Sequence, residues 1–148
     1  MYDCVLILLV YYRYRCNVGI LMEGPDTIYC DGQYWNGTVP TCLVPPSSPN
    51  LSVSVSGSNT SSLEEQVVVV QTGDVVEAVC HASGGNPVPD VMISLPGYEG
   101  VWQSMSASAQ IVITEEHSDG MIVCTVQNSA GTTYTHTTIH IPSKYQVL

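Results

Sequence analysis

Two histidines near the C-terminus, His136 and His140, have a spacing that could serve metal binding. Residues four apart on a β-strand project from the same face, and imidazole nitrogens are common Zn²⁺ ligands. Ile139 and Ile141 occupy the apolar positions of the same segment, and no cysteine or carboxylate adjoins the histidines in sequence. We therefore interpret both histidines as solvent-facing strand residues.

Other polar clusters also admit a catalytic interpretation. His117-Ser118-Asp119 has the residue types of a hydrolase triad, but three consecutive residues cannot converge as a triad must, so we predict a turn. Glu64-Glu65 and Glu115-Glu116 could contribute to a Ca²⁺ site, which needs about six to eight oxygens. We interpret them instead as a solvated acidic surface. With no phosphate-binding loop or nucleophile elbow, the sequence predicts no enzyme, no cofactor and no metal.

The charge distribution excludes several classes of partner. The 148 residues include 3 Lys and Arg against 13 Asp and Glu, a formal charge of −10, and no basic residue lies between Arg15 and Lys144. Nucleic acid and anionic membrane surfaces require clustered basic residues, so neither is an expected partner. The acidic surface predicts a basic or Ca²⁺-bridged protein partner and disfavours self-association at low salt. It leaves the oligomeric state open.

Six cysteines in so short a chain indicate an oxidising compartment. Four of them precede the proline- and serine-rich segment around residues 45–49, and two follow it. This shift predicts a small disulfide-stapled module over residues 1–44, a linker over 45–49, a larger domain over 50–142 and a tail over 143–148.

The larger domain is predicted to consist of strands. Apolar residues alternate with polar ones, or form short runs, in segments separated by Gly, Pro, Asn, Asp and Ser, and no window has useful helical periodicity. Six or seven short strands at this spacing indicate an all-β antiparallel sandwich or barrel. The segments are Leu51–Ser56, Val67–Val70, Asp74–Cys80, Asp90–Leu95, Gln110–Thr114, Met121–Gln127 and Thr132–Ile141.

Cys80 and Cys124 both fall on the apolar face of an alternating strand, with forty-three residues between them. Inward-facing cysteines on opposite sheets can meet across a core about 10 Å thick. Closing that loop is worth about 4 kcal/mol in the chain-entropy account of disulfide stability.

Residues 49–142 resemble an immunoglobulin-like domain of the intermediate or C2 type. The resemblance is carried by Cys80-His-Ala-Ser-Gly-Gly-Asn-Pro-Val-Pro-Asp90 and by Ser118-Asp-Gly-Met-Ile-Val-Cys124-Thr-Val-Gln-Asn-Ser-Ala-Gly131. Two positions depart from the family. Ile93 stands where the core Trp is usual, and Ile122 stands at the tyrosine-corner position. The first departure predicts a void unless Trp102 or Met92 fills it.

Residues 12–42 resemble the C-terminal two-thirds of a sushi, or complement-control, repeat. The carrying features are Tyr14-Arg-Cys16, the Cys30-Asp-Gly-Gln-Tyr-Trp35 core and the closing Pro40-Thr-Cys42. Such repeats pair the first cysteine with the third and the second with the fourth, which implies a Cys16–Cys42 disulfide. The resemblance also pairs Cys30 with Cys4, although Cys4 lies nearer to Cys16 than is usual. The alternative is that both are free thiols.

Three sequons, at Asn36, Asn50 and Asn59, offer N-glycan acceptors if the chain is secreted. The apolar run Val5–Tyr12 is too short to span a membrane and lacks the preceding basic residues of a signal peptide. It is interpreted as a buried strand or as sequence from a mis-predicted exon, with a degenerate signal sequence as the alternative. We expect the chain to be a fragment whose export signal is missing.

Two extracellular module types in tandem indicate a non-catalytic protein-binding chain, either secreted or part of a membrane-protein ectodomain. The first hypothesis is recognition of another extracellular or cell-surface protein in cell adhesion. Alternatives are a secreted complement-like or innate defence factor and the non-catalytic arm of a larger secreted enzyme. The candidate binding residues are Ile93, Gln127, Asn128, Tyr134 and His136.

Overall fold

The computed structural model describes residues 11–57, 62–64 and 66–143, and it divides the chain into two compact units, Met1–Val44 and Pro45–Leu148. Within those described ranges, every regular element is a strand except one 3-10 turn at Glu115–His117. None of the described segments is a helix long and apolar enough to cross a membrane. The all-β prediction is confirmed. Cys4, Asn59, Glu65, the side chain of Glu64 and most of the apolar run that begins at Val5 lie outside the described residues.

The first unit contains, from residue 11 onward, five short strands in two small sheets. Strands β1, β3 and β4 form one antiparallel sheet, and β2 pairs with β5 in the other. The strands are β1 (Tyr11–Arg13), β2 (Leu21–Glu23), β3 (Thr27–Cys30), β4 (Trp35–Asn36) and β5 (Thr41–Leu43).

Disulfides replace a large core in this unit. Among its described residues, the buried apolar side chains are Ile28 and Cys30, too few to stabilise a fold without cross-links. Cys16 and Cys42 form a disulfide with their Cα atoms 5.5 Å apart. Cys30 is also disulfide-bonded. Its predicted pairing with Cys4 stays a prediction, because Cys4 lies outside the described residues.

The described residues of the second unit include ten strands, which form two sheets. The strands are β6 (Asn50–Ser56), β7 (Ser62–Glu64), β8 (Val67–Val69), β9 (Val75–His81), β10 (Asp90–Leu95), β11 (Tyr98–Glu99), β12 (Gln103–Ser104), β13 (Ser106–Val112), β14 (Met121–Asn128) and β15 (Gly131–His140).

The sheets have the arrangement of an immunoglobulin-like sandwich. The larger sheet has the order β11-β10-β14-β15-β8-β7, with β12 also paired to β10, and the smaller sheet has the order β13-β9-β6. All described pairs are antiparallel except that of β15 with β8. The predicted fold class is confirmed.

The core lies between the two sheets. Alternate residues of β9, β10 and β14 point inward, and Ile122 and Val126 are among those without exposed surface. At its centre, Cys80 of β9 and Cys124 of β14 form a disulfide with Cα atoms 6.3 Å apart. This bond joins one sheet to the other.

Residues 45–49, interpreted from composition as a linker, belong to the second unit. Pro46 and Pro49 are buried, and the Ser47 amide donates a hydrogen bond to the Ser83 carbonyl at 2.9 Å. Prolines predict an extended backbone from their local geometry alone. Here their rings pack on the domain, so the segment is an ordered start of this unit rather than a free linker.

A cavity of about 190 Å³ adjoins Ile93, the position where the resembling family usually has tryptophan. Trp102 is 41% exposed and is not among the residues that line the cavity. Met92 alternates with the inward residues Val91 and Ile93, and therefore points away from the core. Neither side chain fills the space beside Ile93.

A turn in the first unit generates a pH-dependent prediction. The Asp31 carboxylate accepts hydrogen bonds from the amides of Tyr34 and Gln33, at 2.7 and 2.9 Å, and these bonds hold the pKa of Asp31 below its ordinary value. The resulting stabilisation is present above the unfolded-state pKa and is lost as pH falls through the folded-state pKa. Carboxyl-carbon NMR titration is expected to give a pKa below the ordinary aspartate value. A pKa at or above that value would contradict the turn geometry.

The cross-sheet disulfide generates a stability prediction. Replacing both Cys80 and Cys124 with Ala is expected to lower the free energy of unfolding by about 4 kcal/mol, because the unfolded chain regains the loop entropy. Urea unfolding followed by Trp102 fluorescence in a Trp35→Phe background measures it. The matched control replaces Cys16 and Cys42, which lie in the other unit, and should leave this transition unchanged. An unchanged midpoint in the Cys80/Cys124 variant would contradict the prediction.

Candidate binding face

The outer face of the larger sheet carries an exposed aromatic residue. Tyr134 of β15 is 68% exposed. It lies opposite Thr125 of β14, and Thr125 lies opposite Met92 of β10. These three residues form a row across three strands, since residues in register on one face of a sheet are neighbours.

Two further rows flank this central row. On one side, Asp90 lies opposite Gln127, and Gln127 lies opposite Thr132. The other row contains Ser94, Val123 and His136 in the same register. The name "outer face" refers below to these three rows together.

Three of the predicted binding residues share the outer face. Gln127 is exposed, Tyr134 is strongly exposed and His136 is half-buried. They lie on the paired strands β14 and β15, where alternation places them on one side. Sequence reasoning did not select Asp90, Met92 and Thr125, although the alternation that turns Val91 inward places Asp90 and Met92 outward.

Ile93 does not belong to a binding surface, and its selection as a candidate is corrected here. Its side chain is 2% exposed and packs in the core cluster. Val91, Ile93 and Leu95 are the inward positions of β10. The resemblance placed Ile93 at a core position, and the strand periodicity gives the same result.

Asn128 has a structural role at the end of β14. Its Nδ2 donates to the Pro87 carbonyl at 2.8 Å, and its Oδ1 accepts from the amides of Ala130 and Gly131 at 2.9 and 3.1 Å. These bonds close the turn between β14 and β15 and tie it to the loop before β10. A side chain that fixes a turn in this way positions neighbouring residues rather than offering its own polar groups to a partner.

The smaller sheet presents a different outer face. On β6 the outward positions are Asn50, Ser52, Ser54 and Ser56, all exposed. Ser54 lies opposite Glu77 of β9, and Glu77 lies opposite Gln110 of β13. This serine-rich surface carries one of the sequons, Asn50-Leu-Ser52, so a glycan at Asn50 would project from it.

The sequon at Asn36 is in the first unit, where Asn36 is an exposed residue at the end of β4. Asn59 lies outside the described residues. Both described acceptors are thus accessible to solvent.

The polar clusters do not assemble a metal centre within residues 11–57, 62–64 and 66–143. No group of three or more potential metal ligands occurs among these residues. His136 and His140 occupy the same side of β15, the first half-buried and the second exposed. His117 accepts a hydrogen bond from the Thr114 amide at 3.1 Å through Nδ1, within the 3-10 turn of Glu115–His117. The predicted turn at residues 117–119 is therefore an ordinary capped turn.

The first unit has a separate aromatic surface. Tyr11 and Tyr29 are each more than half exposed, and their rings lie 6.3 Å apart. The rings of Tyr12 and Trp35 lie 4.8 Å apart. Arg13 follows on β1, with its Nε 3.4 Å from an Asp26 carboxylate oxygen and with both side chains well exposed.

The comparisons with known proteins include a family model that matches part of the first unit. Residues 10–42 match the family model described as Sushi repeat (SCR repeat). Human membrane cofactor protein is 33% identical over 125 residues, a match that covers 76% of this chain and 28% of that protein. The chain thus spans under a third of the length of the curated relative it matches.

A solved structure supports the fold. The crystal structure of Rst D1-D2 has a TM-score of 0.50 at 15% identity, over 78% of this chain and 61% of that chain. The mouse nectin-like molecule 4 ectodomain (Ig1-Ig3) has a TM-score of 0.46 at 14% identity, over 90% and 63% of the two chains, which is too low to support an inference. The sandwich topology, the cross-sheet disulfide, the likeness in fold to Rst D1-D2 and the match of residues 10–42 to the Sushi repeat model identify a chain in which a sushi repeat is followed by a domain of immunoglobulin-like fold.

Proposed function

We propose that this chain is an extracellular, non-catalytic protein-binding module of a cell-surface recognition protein acting in adhesion, and that it binds through the outer face of β10, β14 and β15. The carrying observation is Tyr134, which is 68% exposed in the middle row of that face. A tyrosine offers a large, rigid contact area together with a hydroxyl group, and tyrosines are enriched among residues that dominate binding energy.

The composition of the outer face supports protein recognition. Met92 and Val123 supply half-buried apolar surface on the same face as Tyr134, while Gln127 and Thr132 at one edge supply hydrogen-bonding groups. An apolar centre with a polar border is the usual anatomy of a protein interface. Flat sheets of this kind can bury the roughly 1,200–2,000 Å² typical of stable complexes.

Charge supports a basic or Ca²⁺-bridged partner. The chain has no Lys or Arg between Arg15 and Lys144, and Asp90 adds a carboxylate at one end of the outer face. Complementary charge raises association rates and excludes like-charged partners. Binding is therefore expected to weaken as salt rises.

The sequon on the opposite sheet favours the outer face as the binding surface. A glycan at Asn50 would project from the serine-rich face of β6, β9 and β13 and obstruct approach there. None of the three sequons lies on the rows of the outer face. A glycan at Asn50 therefore leaves the rows of the outer face clear for a partner.

The two modules and the curated relative support an extracellular location, secreted or in a membrane-protein ectodomain. Sushi repeats and immunoglobulin-like domains are non-catalytic binding modules, and the relative's own name, membrane cofactor protein, refers to a membrane. Two disulfides among the described residues fit an oxidising compartment.

The aromatic surface of the sushi repeat favours a second candidate function. In a secreted complement-like or innate defence factor, this repeat would carry the binding and the immunoglobulin-like domain would serve as a spacer. The supporting observation is the exposed pair Tyr11 and Tyr29 beside Arg13. Blocking the outer face would then leave binding intact.

A glycan placed on the outer face tests the first proposal. Gln127→Asn converts Gln127-Asn128-Ser129 into a sequon on the exposed end of β14. We expect the variant, secreted and arrayed on beads, to lose at least about tenfold of its adhesion to a panel of cell lines, because a buried anchor residue contributes several kcal/mol to an interface. Flow cytometry of bead–cell conjugates measures the loss.

The matched control carries a glycan on the other sheet. Ser54→Asn creates the sequon Asn-Val55-Ser56 on the outward side of β6, and beads bearing this variant should adhere as the parent chain does. The proposal is contradicted if the parent chain adheres to no cell line, or if Ser54→Asn blocks adhesion while Gln127→Asn does not. Binding would be assigned to the sushi repeat by a different pair of results. Both glycan variants would still adhere, and replacement of Tyr11 and Tyr29 would abolish adhesion.

Glycan occupancy gives an independent prediction. Chain secreted from animal cells should carry N-glycans at Asn36 and Asn50, since both side chains are exposed. Treatment with a peptide-N-glycosidase is expected to lower the apparent mass of the chain on a gel. Asn36→Gln and Asn50→Gln should each lower the apparent mass of the untreated chain by about one glycan. An unchanged mobility in all cases would contradict the predicted use of these sequons.

A further inference from the structure

The smaller sheet ends at β13, a seven-residue edge strand with unpaired backbone groups. The Ala82 amide donates to the Met105 carbonyl, and the Ile113 amide donates to the Asp74 carbonyl. Hydrogen-bonded pairs alternate with non-bonded pairs along an antiparallel ladder. The amide and carbonyl groups of the odd-numbered residues between 105 and 113 therefore point toward β9. The amide and carbonyl groups of Ser106, Ser108, Gln110 and Val112 therefore point toward the open edge.

No described segment covers this edge. In the parts of the chain that the structure describes, the outward amide and carbonyl groups of these four residues form no backbone hydrogen bond with another segment. Natural edge strands are usually protected by charged residues, proline or a bulge. β13 carries none of the charged residues or prolines, and the uncharged stretch extends from Gln103 to Thr114.

The cavity beside Ile93 opens at the same edge. Its walls are Ala107, Ser108, Ala109 and Gln110 of β13 on one side, and Tyr98, Gly100, Val101 and Gln103 on the other. Ile93 is 2% exposed and Ala107 4%, whereas Tyr98 and Val101 are more than half exposed. The cavity thus has an apolar floor and an exposed mouth, beside the backbone groups that lack partners.

The geometry of a sheet relates the edge to the cavity. A strand added beside β13 would direct every second side chain toward the same side as Ala107 and Ala109. These alanines are small, so they leave room for a larger neighbour. The cavity volume is about 190 Å³, more than the about 150 Å³ of an engineered apolar cavity that accepts benzene.

We propose that the edge of β13 binds an extended segment of a partner protein by β-strand addition, with one large apolar side chain of that segment entering the cavity beside Ile93. The main-chain bonds supply affinity and the cavity supplies selectivity for the inserted side chain. This site lies on the smaller sheet and is independent of the outer face.

Charge defines the flanks of the segment. The described groups around the edge include Glu77, which lies opposite Gln110, and Glu99 on β11. No Lys or Arg lies in this unit before Lys144. A segment with basic residues on either side of its apolar centre complements these carboxylates.

A second copy of the chain fits the edge less well. Antiparallel pairing of two β13 strands about Ala109 would place Ala109 opposite its own copy and Ala107 opposite Ile111, so no aromatic side chain would enter the cavity. It would also bring together two chains with a formal charge of −10 each, which disfavours association.

A designed peptide serves as the probe for this site. The peptide Lys-Val-Thr-Trp-Thr-Val-Lys places its tryptophan on the cavity side and its threonine amides opposite the free carbonyls of β13. Fluorescence anisotropy of the labelled peptide should show saturable binding to the full chain. Replacement of the tryptophan by alanine, or N-methylation of the two threonine amides, should each weaken binding about tenfold or more.

Variants of the chain test the same contacts. Ser108→Pro removes an outward amide without removing a bond to β9, a position where an edge strand tolerates proline, and should weaken binding about tenfold. Ser108→Ala retains the amide and should bind as the parent chain does. Near-ultraviolet circular dichroism verifies that each variant is folded. Ala109→Leu, which narrows the cavity, should abolish the preference for tryptophan over alanine in the probe.

Three results would overturn the proposal: no binding of the peptide below about 1 mM, equal binding by the parent chain and Ser108→Pro, or dimerisation of the parent chain that Ser108→Pro abolishes. The last result would assign the edge to a second copy. Glycosylated Gln127→Asn should bind the probe normally, because residue 127 belongs to the other sheet. A failure of this site is therefore distinguishable from a failure of the outer face.

Discussion

The second unit depends on the disulfide that joins its two sheets. Cys80 and Cys124 are fully buried, on β9 of the smaller sheet and β14 of the larger one. The core around them is built from small aliphatic residues, because the chain contains no Phe and Ile93 occupies the position where the family usually has tryptophan. A core of this kind buries less area per residue than one with aromatic side chains, so the covalent link carries a correspondingly larger part of the stability.

Because the two sheets pack through their inner faces, the domain has two outer surfaces, and these differ in composition. β14 and β15 present Gln127, Tyr134 and His136 on a face whose rows contain no sequon, whereas β6 presents serines and the Asn50 sequon. The missing core tryptophan has a second consequence at the border of the smaller sheet. There the space beside Ile93 adjoins an edge strand with unpaired backbone groups. The position that lacks the tryptophan therefore lies next to the edge proposed for strand addition.

Local sequence patterns predicted most of the strands because burial in a sandwich repeats every second residue. The alternation around Cys80 and Cys124 located β9 and β14 and their inward faces. The same reasoning placed the start of β13 at Gln110 rather than Ser106, because Ser and Ala in that segment give no apolar alternation. It also took residues 45–49 for a linker, since the burial of Pro46 depends on a distant part of the chain. The missing tryptophan at Ile93 predicted a void, but which strand forms an edge, and that the void opens beside β13, follow from sheet order and have no local signal.

Disulfide mapping by mass spectrometry tests the central claim that one bond joins the two sheets. Trypsin is unsuitable because no Lys or Arg lies between Arg15 and Lys144, so cleavage after glutamate is the better choice. Without reductant, the fragment that follows Glu77 and contains Cys80 should remain linked to the fragment that follows Glu116 and contains Cys124, and reduction should separate them. Linkage of Cys80 to any other cysteine, or recovery of either fragment as a free thiol, would contradict the account.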